Sequence, residues 1–387
     1  MIIDYISFKE TGYFSSFITD YLSEKKELKS LYNRFPSIEN FKNQIEEKNN
    51  NYPEYNRKIL VKSLYKQYEN IELYEKVKKN IELLEKNNTF TITTGHQLSL
   101  FTGPLYFIYK IISVIKSCQI LKAQYPENEF IPVYWMATED HDFQEINHFY
   151  IHQKKVVWDN DQTGAVGDFQ TETLSQVSEA LRVELGIGEE AKKILALFKN
   201  TYLNYPNLTS ATRYLVNELF KEYGLVIIDG NDTDLKRLFI PYFKKDLLEN
   251  VAYNQVNTTI SVIKGINHNY PAQVNPREIN IFYLKNGIRE RIVKSEKGFE
   301  IHNTDIHFTE KELLDSLEQN PENFSPNVIL RPMYQEVILP NLCYVGGGGE
   351  LAYWLELKDF FASQNITFPM LMLRNSVLII SEKQIKK

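Results

Sequence analysis

The stretch FTITTGHQLSLFTGPLYFIYKIISVIK, residues 90–116, decides the fold. Its first six residues form a short segment of mostly β-branched residues that ends at Gly95, which predicts a buried strand that enters a tight turn. From Leu105 to Lys122 apolar residues recur every three or four positions, which predicts a helix packed against a sheet. A strand, a polar turn and an amphipathic helix begin a βαβ unit, so the sequence predicts an α/β protein with a mainly parallel, doubly wound sheet.

Four later segments show the same pattern, an apolar run that is followed by glycine or by charged residues. They are IPVYWMA (131–137), YGLVIIDG (223–230), VILPNLCYVGGGGELAYWLEL (337–357) and ITFPMLMLRNSVLII (366–380). One region differs: in INIFYLKNGIRERIVKSEKGFEI (280–302), apolar and polar residues alternate on both sides of Asn286-Gly287. That pattern predicts an antiparallel hairpin within an insertion.

The expected organisation is an α/β core interrupted by insertions and preceded by helices. Residues 1 to about 85 are rich in Lys, Glu, Asn and Tyr, with apolar residues at helical spacing. The predicted boundaries are a helical region at 1–85, core at 86–150, an α/β insertion at 151–210, core at 211–250, a β-containing insertion at 251–325 and core at 326–387.

Composition excludes several classes of protein. The chain has 387 residues, of which 43% are apolar and 24% charged, with a formal net charge of -6. A concentrated basic surface is needed for an extended nucleic-acid interface, so none is expected. Cys118 and Cys343 are the two cysteines, which argues against a disulfide framework and favours a reducing cytoplasm. No signal peptide and no membrane span are expected.

Four polar clusters follow predicted strands, where ligands bind in a doubly wound sheet. They are Gly95-His96-Gln97, Glu139-Asp140-His141-Asp142, Gly346 to Glu350, and Arg374-Asn375-Ser376.

In the first loop, Gly95 and Gly103 allow close approach of the backbone to a ligand, and the following helix offers unpaired N–H groups to an anion. His96 is a candidate for stabilising negative charge on a phosphate, with Gln97 as a neutral donor. The alternative is a histidine that caps a turn shaped by glycine and proline.

Three carboxylates and an imidazole crowd into Glu139–Asp142, and their repulsion calls for a cation or a donor-rich substrate. The open alternatives are Mg²⁺ held through nucleotide phosphates, an amine or hydroxyl held by carboxylates, and metal-dependent hydrolysis. His148 and His152 have the i, i+4 spacing of a helical metal pair, but no Glu follows the first of them. A zinc site is therefore not expected.

The run VGGGGELAYW removes side chains from one patch of backbone. Adenine or ribose lying against the glycines, with Glu350 accepting hydrogen bonds from hydroxyls, is one use, and a flexible loop is the alternative. Arg331 and Arg374 are candidates for binding a carboxylate or phosphate, or for surface salt bridges. Lys110 and Lys116 are expected to face solvent.

Taken together, four pieces resemble one family. TGHQLSLFTGPLYFIYKIIS, PVYWMATEDHDFQEINH, FSPNVILRPMYQEVILPNLCYVGGGGELAYW and FPMLMLRNSVLII are similar, in this order, to the cysteine-adding enzymes of bacillithiol biosynthesis, called BshC. The resemblance implies a Rossmann-like core of the class I synthetase and nucleotidyl transferase type, with connecting-peptide insertions. It also implies a C-terminal coiled coil that pairs subunits, and this chain ends at EKQIKK, where that coiled coil would begin.

The resemblance further implies amide formation between cysteine and glucosaminyl malate, and a homodimer at full length. ATP with Mg²⁺ is the expected cofactor, because a free carboxylate must be activated before an amine attacks it. The net negative charge and the lack of a long apolar run predict no nucleic-acid or membrane partner. A nucleotide-binding protein without catalysis is the non-enzymatic alternative. The candidate residues are His96, Gln97, Asp140 and His141 as catalytic; Gly95, Gly103, Gly346, Gly347, Gly348, Gly349, Glu350, Arg374 and Ser376 for nucleotide; Glu139, Asp142, Arg331 and Tyr344 for substrate; and none for metal.

Overall fold

A computed structural model of the chain describes residues 3–380 and residue 384. Its α-helices are α1 (Phe8–Thr11), α2 (Ser16–Leu22), α3 (Asn40–Asn51), α4 (Glu54–Gln67), α5 (Glu75–Leu83), α6 (Tyr106–Gln124), α7 (Phe143–Ile146), α8 (Leu174–Leu185), α9 (Glu189–Tyr202), α10 (Leu208–Phe220), α11 (Thr233–Arg237), α12 (Ile240–Glu249), α13 (Val251–Ile266), α14 (Glu310–Gln319), α15 (Leu330–Ile338), α16 (Gly348–Leu355) and α17 (Lys358–Ser363). Its strands are β1 (Thr89–His96), β2 (Glu129–Met136), β3 (His148–Ile151), β4 (Lys154–Val157), β5 (Val226–Asp229), β6 (Ile281–Lys285), β7 (Ile288–Ser295), β8 (Gly298–Ile301), β9 (His307–Phe308), β10 (Phe324–Pro326), β11 (Asn341–Gly346) and β12 (Met370–Leu373).

The central sheet has five parallel strands in the order β12-β11-β1-β2-β5. From β1 the chain moves outward to β2 and β5, then returns to the other side of β1 to add β11 and β12. The strand order therefore reverses between β1 and β11, and such a switch point opens a crevice at the carboxyl ends of the strands. The predicted doubly wound, Rossmann-like parallel sheet is confirmed.

The apolar character of β1 follows from its central position, because its residues from Thr89 to Gly95 are all buried. Phe90 and Ile92 pack with Val114 of α6 and Phe41 of α3 in one apolar cluster. Burial on this scale stabilises the fold by roughly 1.5–3 kcal/mol for each large apolar side chain. The helix predicted from Leu105 begins one residue later, and Leu105 itself is 52% exposed.

A second sheet is antiparallel, in the order β10-β6-β7-β8-β9. The predicted hairpin is confirmed: β6 and β7 pair with each other, and their turn places Asn286 and Gly287 at φ 50° and 77°. Both values lie in the left-handed region that a type I′ turn requires. Because Phe282 pairs opposite Arg291, the two side chains share one face of this sheet.

The third β unit is the hairpin β3-β4. His148 begins β3, and His152 lies in the turn that follows it, with φ 47°. The two histidines therefore do not form a helical metal pair, since side chains four residues apart converge only on a helix. The β-branched and aromatic residues between the two histidines favour a strand instead.

The last core strand, β12, ends at Leu373, and residues 374–380 have no regular secondary structure. The terminal stretch EKQIKK lies outside the described residues except for residue 384. The domain boundaries stay a prediction. Among the helices that the structure describes, none has the length and apolar character needed to cross a bilayer.

Candidate active site

A cavity of about 670 Å³ opens at the carboxyl edge of the central sheet and extends to the antiparallel sheet. Its walls include residues from the ends of β1 and β2, from α15 and α16, and from β6 and β7. Ten predicted site residues line it: Gly95, His96, Gln97, Glu139, Asp140, His141, Asp142, Arg331, Tyr344 and Glu350. Clusters that are distant in sequence thus meet at one edge of the sheet.

His96 ends β1 and is partly buried. Its Nδ1 lies 2.9 Å from the carbonyl oxygen of Gln97. A carbonyl can only accept, so Nδ1 carries the proton in the neutral ring and Nε2 has a free lone pair. Burial, aided by the positive charge of Lys110, lowers the pKa of His96 to about 4, so the ring is neutral at pH 7.

Lys110 does not face solvent, so that prediction is wrong, whereas Lys116 is exposed as expected. The side chain of Lys110 is 3% exposed, and its Nζ lies 2.9 Å from each carboxylate oxygen of Glu350. The same Nζ also donates to the carbonyl oxygen of Gly95. Burial lowers the pKa of Lys110, and the Glu350 charge opposes that shift.

Glu350 has its oxygens occupied by protein donors. Besides Lys110, the hydroxyl of Tyr344 donates to Oε1 at 2.7 Å and the backbone N–H of Gly347 donates to Oε2 at 2.8 Å. Burial would raise the pKa of Glu350, but Lys110 and these hydrogen bonds hold it below its usual value. A carboxylate so fully bound holds neighbouring strands and helices together and has little remaining capacity for ribose hydroxyls.

Gln97 connects the loop after β1 to the acidic loop after β2. Its Nε2 donates to Asp140 at 2.9 Å and to Glu145 at 2.8 Å. Burial would raise the pKa of Asp140, but hydrogen bonds from His141 and Gln97 hold it well below its usual range. Asp140 is therefore ionised at pH 7 and contributes negative charge to this wall.

The antiparallel sheet and the segment before it bring arginines to the same cavity. Arg289 and Arg291 are alternate residues of β7, and Arg277 comes from the segment before β6. The guanidinium of Arg289 lies 2.7 Å from His141 Nδ1 and 4.0 Å from the centre of the Phe282 ring. Among the described residues, the side chains of Arg277 and Arg291 have no hydrogen-bond or ion-pair partner. Two unpaired guanidinium groups at one cavity are suited to an anionic ligand.

Glu139 lines the cavity, but its carboxylate is already paired. It lies 2.6 Å from Nζ of Lys236, whose side chain is fully buried. Lys236 also donates to Asn231 Oδ1 at 2.8 Å. Glu139 therefore anchors the loop after β2 to α11 and has less capacity for substrate than the sequence predicted.

The ligand atoms of Asp140, His141 and Asp142 lie within 4.8 Å of one another. This donor set does not fit a divalent cation as arranged. Asp140 Oδ1 accepts the backbone N–H of His141, its Oδ2 accepts Gln97, and His141 Nδ1 is paired with Arg289. A metal ion would have to replace a guanidinium, which already supplies positive charge at this place.

The glycine run has a packing explanation. Gly346 ends β11, Gly347 caps α16, and the next two glycines begin that helix, so the run is not a flexible loop. A Cβ on Gly348 would lie 3.1 Å from Phe14, and one on Gly346 would lie 2.9 Å from Leu351. Gly348 lets the N-terminal region pack closely on α16, and Gly346 lets α16 pack closely on the end of β11. None of the four glycines lines the cavity.

The remaining candidates lie at the edge of the site or outside it. Gly103, with φ 59°, shapes the turn before α6 and does not line the cavity, nor does Ser376. Arg374 does not line the cavity, but its guanidinium lies over the ring of Tyr106, 4.8 Å from its centre, and Tyr106 does line it. Arg331 donates to Tyr353 and Gln335, each at 3.3 Å, so its fork is partly used within the protein.

Two signals in the sequence would have identified the residues that were missed. Lys110 interrupts the apolar face of α6 between Phe107 and Val114, a position at which a lysine needs a buried partner. Arg289 and Arg291 follow the Asn-Gly turn at a spacing of two, which places them on one face of a strand.

Comparisons with known proteins agree on one family. The model for "Bacillithiol biosynthesis BshC, N-terminal Rossmann-like domain" matches residues 1–375. A protein of Flavobacterium johnsoniae named "Putative cysteine ligase BshC" is 55% identical over 387 residues, which is 100% of this chain and 72% of that relative. A relative of the same name from Flavobacterium psychrophilum is also 55% identical with the same coverage. One from Bacillus cereus is 27% identical over 389 residues, covering 94% of this chain and 69% of the relative.

Proposed function

The chain belongs to the BshC family of bacillithiol biosynthesis, and from that premise we propose that it is a ligase that joins cysteine to glucosaminyl malate through an amide bond. The acceptor would be the amino group of the glucosamine part, and the carboxyl group of cysteine would be the part that is activated.

The observation that carries this proposal is the pairing of an arginine wall with an acidic wall in one cavity. The unpaired guanidiniums of Arg277 and Arg291 suit the two carboxylates of a malyl group. In the same cavity, Asp140 and Asp142 offer carboxylates to ammonium and hydroxyl groups. A volume of about 670 Å³ is in the range of small-molecule sites, roughly 300–1,000 Å³.

Amide formation from a free carboxylate needs activation, and we propose ATP as the co-substrate that supplies it. Mg²⁺ would accompany the phosphates of ATP, because the protein carboxylates here do not form a preorganised metal site. The groups that we assign to nucleotide lie at the β1–β11 crevice: the backbone at Gly95 and His96, and the guanidinium of Arg374 over Tyr106. Cytoplasmic location and homodimerisation stay predictions.

The direct test is mass spectrometry of the purified protein with cysteine and glucosaminyl malate, with and without ATP. We expect the cysteinyl amide to form only when ATP is present. Product without any nucleotide would refute the activation step, and no product with any nucleoside triphosphate would refute the ligase assignment.

Arginine variants test the acceptor site. Arg277→Gln and Arg291→Gln are each expected to raise the KM for glucosaminyl malate about 10- to 100-fold, since a hydrogen bond between charged groups contributes roughly 1.5–3 kcal/mol. The KM for cysteine should change by less than about threefold. Arg182→Gln is the matched control, because Arg182 is an exposed residue of α8 that pairs with the exposed Glu179, away from the cavity. Equal effects on both substrates would contradict the assignment of this wall to malate.

A further inference from the structure

We propose that Lys110 and Glu350 form a positioning pair for His96, holding the carboxyl ends of β1 and β11 together so that the imidazole presents an unprotonated Nε2 to the cavity. The kinetic part of this inference rests on the proposed ligase function. The geometric part does not, because it can be measured on the protein without substrate.

The pair joins four elements across the switch point. Lys110 reaches from α6 to the carbonyl of Gly95, the residue directly before His96, and to both oxygens of Glu350 at 2.9 Å. Glu350, from α16, accepts the Tyr344 hydroxyl of β11 and the N–H of Gly347. Movement of either strand end would break a bond to the pair, so the pair fixes the floor of the crevice.

The backbone of His96 is held from the other side as well. Its carbonyl oxygen accepts the N–H of Ala137 at 3.1 Å and the hydroxyl of Tyr134 at 3.3 Å. The imidazole lies against the rings of Tyr106 and Phe107, with centroids 5.5 and 5.0 Å away. With Nδ1 bonded to the Gln97 carbonyl, Nε2 is the ring nitrogen left for a ligand.

A role in stability alone does not account for this arrangement. Desolvating two charges costs several kcal/mol per ion, and a buried pair is often replaced by apolar residues without loss. Lys110 lies on an otherwise apolar face of α6, where an aliphatic side chain would pack without that cost. The two charges lie at the crevice in which this fold binds ligands.

Electrostatics tie the pair to His96. Burial is the largest influence on the imidazole; the charged groups that face it are Lys110 from α6, Glu350 from α16 and Arg374 after β12. The two cations lower the pKa of His96 and the carboxylate raises it. Removing either member of the pair should therefore move the imidazole titration, and in opposite directions.

The test is an NMR pH titration of the His96 imidazole in the substrate-free protein, assigned by the signal that disappears in His96→Gln. Lys110→Met should raise the midpoint by about one pH unit, and Glu350→Gln should lower it further below the ordinary value of about 6.5. Lys110→Arg, which keeps the charge, should titrate close to wild type. Lys116→Met, on the exposed side of the same helix, is the matched control and should change nothing.

The kinetic readout separates positioning from binding. Lys110→Met and Glu350→Gln should each lower kcat about 10- to 100-fold, while the KM of the acceptor changes by less than about threefold. In the wild type, a proton on Nε2 rather than Nδ1 would overturn the inference even if no variant folds. Midpoints that move in the same direction in the two variants, or not at all, would overturn it too. Absence of ligase product together with the expected titrations would instead refute the proposed function and leave the pair standing.

Discussion

Replacing Lys48 with methionine is expected to lower the free energy of unfolding by about 3–5 kcal/mol, since it leaves a buried carboxylate without its counter-ion. Lys48 lies on α3 and Glu336 on α15, with Nζ 3.1 Å from Oε2 and exposed fractions of 2% and 0%. This pair lies at the amino end of β11, so it anchors the N-terminal helices to the core.

The size of the effect depends on pH. Burial raises the pKa of Glu336, while Lys48 and hydrogen bonds from Asn341 and Gln335, at 2.6 and 3.0 Å, oppose the shift. Without Lys48 the folded-state pKa rises further above the unfolded value. A raised folded-state pKa gives a contribution that is present at low pH and lost as pH rises, so the deficit of Lys48→Met should be largest above pH 7.

Urea unfolding at pH 5 and pH 8 measures this directly. The double variant Lys48→Met with Glu336→Gln should recover most of the loss at pH 8, because the neutral amide no longer needs a counter-ion. Lys42→Met is the control, since Lys42 is exposed on the same helix. A loss below about 1 kcal/mol, or a double variant no more stable than Lys48→Met at pH 8, would refute the reasoning.

Two further predictions concern packing and pH. Gly348→Val should lower the free energy of unfolding in urea by about 1–3 kcal/mol, because the new side chain meets Phe14. Gly349→Ala is the control and should be neutral or slightly stabilising, because no atom lies within 4 Å of the added Cβ. Equal losses in the two variants would contradict the packing account. Burial raises the pKa of Glu356 to about 7, above the unfolded value of about 4.3, so its contribution is present below pH 4 and lost as pH rises through 7. Between pH 4 and pH 7 the free energy of unfolding of the wild type should therefore fall by about 3 kcal/mol more than that of Glu356→Gln. Parallel pH profiles of the two proteins would rule this out.

The fold could be predicted because its decisive signals are local. The β1 run, its closing glycine and the apolar face of α6 each specify an element without reference to distant residues. The hairpin at Asn286-Gly287 could be predicted in the same way, because few residue pairs accept two consecutive positive φ values and Asn-Gly is one of them. Local signals fail where the same pattern suits two structures, as with His148 and His152, whose spacing suited a helix although the residues between them favoured a strand.

The site was harder to predict because its partners come together only in the folded chain. Lys110 and Glu350 are far apart in sequence, and the sequence alone gives no reason to pair them. The glycine run predicts a surface for a nucleotide, yet the group that lies against Gly348 is Phe14 from the N-terminal region. A run of glycines reports that something lies close to the backbone, but it does not distinguish a ligand from another helix.

The chemistry of His96 shows how geometry changes a role assigned from sequence. The sequence suggested a histidine that stabilises negative charge on a phosphate, which requires either a protonated ring or a free N–H. In the folded chain the pKa is lowered to about 4 and the Nδ1 proton is directed to the Gln97 carbonyl, so neither is present at pH 7. Nε2 can only accept a proton or a hydrogen bond in this state. A substrate N–H or O–H, rather than a phosphate oxygen, is therefore the group that this nitrogen is prepared to meet.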